Sequence, residues 1–212
     1  MDELFAEPPR DSEPANIPGV VVGIVTNNRD PEGMGRIKVR LPSLGDTDES
    51  NWARIAAPMA GKDRGVYFLP EIDDEVLVAF EHGNPRFPLI LGALWNGQDS
   101  PPAKNEDGEN DVRVIKSRSG HVIRLTDKDG AEKIEIIDMS GKSSLVFDTA
   151  ANLVKIESGQ DITLSAANGT IKLDAKAIEI ASSGSAKIEA NSTMNVKAAG
   201  AMILKGATID LN

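Results

Sequence analysis

Two histidines, His82 and His121, an acidic run, Glu71, Asp73, Asp74 and Glu75, and the short stretch Ser119-Gly-His121 hold the groups of this 212-residue chain that could serve a reaction. A zinc or iron centre needs three or four Cys, His, Asp or Glu ligands at suitable spacing. The chain has no cysteine, and its two histidines fall in different segments, so both are expected at turns or on the surface. The acids would suit a hard cation or a carboxylate pair, but they stand directly before a Val-rich run and read as an acidic loop entering a strand. Ser119-Gly-His121 reads as a turn entering another. Neither a Gly-x-Ser-x-Gly elbow nor a Walker-type phosphate loop occurs. The Ala-Ala-Gly and Ser-Ser-Gly sites resemble phosphate cradles, yet they recur at the corners of a repeat, which accounts for them. No catalytic, cofactor-binding or metal-binding residue is assigned, no cofactor is expected, and the chain is read as non-enzymatic.

The elements that carry these residues are all β. Residues 1–16 are acidic, proline-bearing and aperiodic, and read as a flexible arm. Residues 17–97 show five candidate strands, Val20–Thr26, Arg36–Leu41, Trp52–Pro58, Glu75–Glu81 and Pro88–Trp95, broken by Gly, Pro and Asn/Asp turns. Ile37, Val39 and Leu41 alternate with polar neighbours, and Val76, Val78 and Phe80 alternate along the next strand but one, as a half-buried strand requires. Five short antiparallel strands over about eighty residues suit a small closed barrel of the OB type. Nearly all the aromatics lie here, Trp52, Tyr67, Phe68, Phe80, Phe87 and Trp95, where a compact core can use them. Residues 98–111 form a linker rich in Pro, Gly and charge.

From residue 112 onward the composition shifts to β-branched residues, Ala, Ser, Gly and Lys, with Phe147 the only aromatic. An apolar–polar–apolar triplet recurs: Ile123-Arg-Leu125, Ile134-Glu-Ile136, Leu145-Val-Phe147 and Val154-Lys-Ile156, then triplets starting at 162, 171, 178, 186, 194, 202 and 209. The last seven step by roughly eight residues, the mark of a β-solenoid with one inward face. Longer steps before residue 150 place Asp/Gly turns between triplets, so residues 112–150 are expected as a neck of hairpin-like antiparallel strands and 151–212 as the octad needle. A single chain could coil into about two triangular turns, but its ends would stay exposed. Three interwoven chains would close every sheet edge and bury the whole apolar face, so an intertwined homotrimer is expected. Its core would hold Ile162, Leu164, Ile171, Leu173, Ile178, Ile180, Ile188, Met194, Val196, Met202 and Leu204.

The formal charge of −10 disfavours broad electrostatic binding to nucleic acid or anionic lipid. No signal peptide is evident at the N-terminus and no apolar run reaches the ~18 residues of a spanning helix. Assembly in a reducing cytoplasm is compatible with the absence of cysteine.

The stretch Leu69–Gly97 (LPEIDDEVLVAFEHGNPRFPLILGALWNG) resembles the OB domain of VgrG proteins and contractile phage tail spikes. Met34–Pro42 and Trp52–Pro58 match the same family upstream in the same order, and Ser119–Asp148 looks like the neck where that family's β-helix begins. By length the chain is most similar to the baseplate assembly protein V type. The resemblance covers about residues 17–212 and implies a trimeric OB collar bearing a β-helical needle that a contracting sheath drives through a target cell envelope. It places the protein in a virion tail baseplate or injection-system particle, assembled in the bacterial cytoplasm.

Departures from the family pattern refine that expectation. In place of the large hub domain of full VgrG proteins stand sixteen residues, and the fourteen-residue linker leaves no space for an inserted lysozyme domain. In place of a His-x-His tip stands Ile209-Asp210-Leu211-Asn212. A separate baseplate hub protein and a separate PAAR-type tip protein are therefore expected, the tip docking on Ile209, Asp210, Leu211 and Asn212. Two other functions compete. An OB-fold nucleic-acid binder would use Lys38, Arg40, Trp52 and Arg54 in a groove. A carbohydrate-active β-helix would need an aromatic-lined groove that 150–212 lacks.

Overall fold

The computed structural model describes residues 16–45 and 49–210. The expected arm at 1–16 therefore lies, except for Asn16, outside the described residues, as do Leu211 and Asn212.

The first strands follow the sequence periodicity. Strand β1 (Val20–Asn27) pairs antiparallel with β2 (Lys38–Arg40), whose Val39 points inward between two half-exposed cations. After β3 (Arg54–Ile55) comes a small hairpin, β4 (Ala60–Gly61) and β5 (Arg64–Gly65), that the apolar pattern did not signal. Strand β6 (Glu75–Phe80) buries Val76, Val78 and Phe80 in strict alternation, and β7 (Pro88–Ala93) returns antiparallel beside it. The sheet order is β2-β1-β6-β7-β3. The core is Val25, Ile37, Val39, Ala53, Val76, Val78, Phe80 and Ile90, one contiguous cluster of alternate residues from every wall.

Two findings differ from the sequence expectation. The third strand is short, since only Arg54 and Ile55 pair along β7 and Ala56 adds a single bond to Ile90 O. Its pairing with β7 is parallel, although five antiparallel strands were expected. The reason is topological. Ile37 and Ala53 exchange both backbone hydrogen bonds, 3.0 and 2.7 Å, and so join the two outer strands of the sheet. Strands linked in a ring of odd number cannot alternate in direction all the way round, so one neighbouring pair must run parallel.

Beyond the charged linker, five strands form an antiparallel meander in the order β12-β11-β10-β9-β8. They are β8 (Val112–Lys116), β9 (Val122–Thr126), β10 (Lys133–Ile137), β11 (Ser144–Asp148) and β12 (Leu153–Glu157). Asp/Gly turns make the reversals. At Asp138 the carboxylate accepts the N–H groups of Ser140 (3.2 Å) and Ser143 (2.9 Å) and the Ser140 hydroxyl (2.6 Å). These bonds hold its pKa down to about 2, the Ser140 hydroxyl contributing most.

Residues 162–210 form a separate unit. Among the described residues there, none lies in a strand and all are exposed. Its contacts are local, among them a turn bond from Gly169 N to Ala166 O (3.2 Å) and ion pairs between residues two apart, Lys172–Asp174 (3.4 Å) and Lys187–Glu189 (2.7 Å). No helix among the described residues is long and apolar enough to cross a membrane.

Candidate assembly interface

The residues considered for chemistry are placed at turns. His82 sits exposed in the Glu81–Gly83 turn between β6 and β7, with φ of 52°. His121 opens β9; its backbone bonds Ser117 in both directions, and its Nδ1 accepts the N–H of Met139 at 3.1 Å, tying the β8–β9 turn to the β10–β11 turn. Ser117 Oγ, not Ser119, meets the His121 backbone. The acids build the entry to β6: Glu71 N–H donates to Asp74 Oδ2 (2.8 Å), Asp73 N–H to Val25 O (2.9 Å), and Val25 N–H to Asp74 O (3.0 Å). Glu71 also pairs with Arg118 at 3.0 Å. Among the described residues no group of three or more His, Cys, Asp or Glu is disposed to hold a metal ion.

Lys38 and Arg54, two of the cations considered for nucleic acid, are engaged by acids. Lys38 Nζ lies 3.0 Å from Glu49 Oε2 and holds that carboxyl below its ordinary pKa, and Arg54 lies 3.5 Å from Glu81; the backbone of Arg40 forms an antiparallel bridge with that of Glu49. Trp52 is half-buried, with the Arg36 guanidinium 5.8 Å and the Lys38 ammonium 5.5 Å from its ring centre. The ring face that would stack a base is thus approached by side chains already bound to carboxylates. Arg36 itself is locked to Asp30, through Nε at 2.9 Å and a terminal nitrogen at 2.8 Å. Asp30 accepts three backbone N–H groups as well, from Glu32, Met34 and Arg36. With the Arg36 bonds as the largest cause, its carboxyl is driven far below the usual range. The β1–β2 turn (NNRDPEGMG) is therefore closed by one half-buried ion pair that the sequence showed only as turn composition.

What the structure leaves open is apolar. Register in the meander puts two cross-strand rows on one face: Ile115, Ile123, Ile136, Leu145 and Ile156, and Arg113, Leu125, Ile134, Phe147 and Val154. The four triplets from Ile123 to Ile156 supply all the apolar members except Ile115. In β8 the pattern misleads, because Val112-Arg-Val114 looks like another triplet while its valines face the opposite side and Arg113 and Ile115 join the rows. Arg113 is neutralised by Asp127 at 2.6 Å. The opposite face mixes apolar and charged residues, with Glu135 nearly buried between Arg124 (3.6 Å) and Lys133 (3.3 Å). Most of the apolar row residues are 40–60% exposed. A single-layer sheet with one apolar face must cover it, and half-burying nine such side chains is worth on the order of 10 kcal/mol per chain before the entropy of association.

The octad positions show the same exposure more strongly. Ile162, Leu164, Ile171, Leu173, Ile178, Met194, Met202 and Leu204 are all exposed, and Ile180, Ile188 and Val196 are 79%, 77% and 70% exposed. Ile209 and Asp210 are exposed too. The chain by itself neither buries these side chains nor pairs their backbone in a ladder.

Residues 21–95 match the family model of the type VI secretion system/phage-baseplate injector OB domain. Over 147 residues, 62% of this chain, the sequence is 30% identical to the type VI secretion system spike protein VgrG4b of Pseudomonas aeruginosa, of which that is 18%. It is 29% identical over 128 residues to VgrG1a of the same organism, covering 55% of this chain and 20% of that one. A match of 35% over 72 residues, 32% of this chain and 7% of the relative, is to the actin cross-linking toxin VgrG1 of Vibrio cholerae. The chain spans about a fifth or less of the length of these curated relatives.

Proposed function

We propose that this chain, a relative of the VgrG spike proteins that carries the baseplate-injector OB domain, is the non-catalytic central spike of a contractile injection apparatus and works as a homotrimer. The observation that carries this reading is the open apolar surface: one whole face of the β8–β12 sheet and every octad residue from Ile162 to Leu204 are left uncovered by a single chain. Three copies wound about a common axis would bury both and give each backbone edge a partner. In that assembly residues 17–97 form the collar, 98–111 the linker, 112–150 the neck and 151–212 the needle, with 1–16 as an arm. Ile162, Leu164, Ile171, Leu173, Ile178, Ile180, Ile188, Met194, Val196, Met202 and Leu204 face the axis.

The spike would sit in a virion tail baseplate or injection-system particle, assembled in the bacterial cytoplasm. It would meet a separate hub protein at the collar and a PAAR-type tip protein near Ile209–Asn212, and it would cross the target envelope by mechanical force on sheath contraction. A rigid, closed prism suits that load because its hydrogen bonds are distributed along the whole shaft. Light scattering on the purified chain tests the central claim. The expected molar mass is close to three times the 22.6 kDa of one chain. A folded monomer at micromolar concentration with full β-content would refute it. Filter binding with single-stranded DNA is expected to show no retention, since Arg36, Lys38 and Arg54 around Trp52 already hold carboxylates and the chain carries a net charge of −10.

A further inference from the structure

The collar carries an apolar cleft that the spike reading leaves without a role. It is about 840 Å³ in volume, has Ile90, Gly92 and Ala93 of β7 as its floor, and is walled by the β4–β5 hairpin and the segment after it. Tyr67 and Phe68 on that wall are 75% and 67% exposed. The hairpin is short and tightly turned, since a side chain at Gly65 would strike the Met59 carbonyl at 2.6 Å. It carries Lys62 and Arg64, with Asp63 between them. Among the described residues neither cation has an ion-pair partner, in contrast to Arg36, Lys38 and Arg54. The cleft thus asks for a short apolar group flanked by negative charge.

We propose that its occupant is the chain's own N-terminal segment, residues 1–15, with Leu4 and Phe5 in the cleft and the acids Asp2, Glu3 and Glu7 against Lys62 and Arg64. The segment has that composition: one apolar trio, Leu4-Phe5-Ala6, set among acids. It is also within reach. Ile17 N–H donates to Gly83 O at 2.8 Å, which fixes the chain at the Phe80–Pro88 end of the β6–β7 pair. The cleft lies at the Ala93 end, roughly 17 Å along the strand, while the eleven residues from Phe5 to Asn16 can span up to about 36 Å. Contact of this kind would let the arm hold the hairpin and mask its aromatics. The inference concerns one chain and does not rest on the trimer.

The test uses the full chain with a photoreactive benzophenone side chain substituted at Phe5, irradiated and digested. The expected product joins position 5 to the peptide containing Met59–Leu69 within one chain. A product joined elsewhere, a product of two-chain mass only, or no product overturns the proposal. Hydrogen exchange gives an independent readout: amides of Ala60–Leu69 are expected to exchange at least tenfold faster in the Leu4→Ser/Phe5→Ser variant and in Arg64→Glu, with the light-scattering mass unchanged. Equal exchange in wild type and the double variant also overturns it.

Discussion

Gly23 lies in the middle of β1 on the side facing the barrel core. A Cβ there would come 2.9 Å from Val78 Cγ2 and 3.3 Å from both Leu41 Cδ2 and Val39 Cβ. Val78 is β-branched and fully buried, so it cannot swing aside. Gly23→Ala is expected to lower stability by about 1–3 kcal/mol through overpacking, read as a lower denaturant midpoint at unchanged slope. In the proposed needle the decisive single residue is Ile188. If it faces the axis as proposed, Ile188→Asp gathers three carboxylates where three isoleucines met, at several kcal/mol per ion. The shaft is then expected not to assemble, whereas the collar stays folded. Wild-type melting of that variant would place Ile188 on the outside and shift the register by one.

At the scale of elements, turns carry the electrostatics. The Asp30 knot in the β1–β2 turn and the Asp138 turn between β10 and β11 both hold carboxylates below their unfolded value of about 4. A depressed folded pKa adds stability that is complete above the unfolded pKa and is lost as pH falls through the folded one. For Asp138 that loss falls between about pH 4 and about pH 2; for Asp30 it continues to lower pH. Asp30→Asn should therefore unfold more readily than wild type at pH 7, with the difference narrowing as the medium is acidified below pH 4. Thermal melts at a series of pH values check this, and a constant difference would mean that the ion pair with Arg36 contributes nothing.

For the molecule as a whole, the open sheet face and the exposed octads make assembly the central issue. The docking of a tip protein proposed near Ile209–Asn212 belongs to this scale, since it depends on the assembled spike and not on one chain. Deleting residues 209–212 is expected to leave the trimer mass and its melting nearly unchanged while abolishing co-purification of the tip protein and delivery by the assembled particle. Full delivery by the truncated spike would dispose of the docking idea. The charge of −10 per chain adds to the case that copies associate through apolar faces and not through general electrostatic attraction.

By itself the sequence determined the β character of residues 20–157, because alternation in Val76-Leu-Val78-Ala-Phe80 and in the triplets from Ile123 to Ile156 is a local property of the chain. It also located β1, β2, β6 and β7 of the first sheet and the turns of the meander, through Gly, Pro and Asp between the alternating runs, but not the β4–β5 hairpin or the shortness of β3. Only the tertiary structure decided the parallel β3–β7 pair, the Ile37–Ala53 closure and the Asp30–Arg36 knot, since each joins residues whose meeting depends on the path of the chain between them. The same holds for β8, where Val112-Arg-Val114 has the right pattern but register turns Ile115 inward to the apolar row instead. Pattern fixes which residues alternate; pairing with a neighbouring strand fixes which side is which.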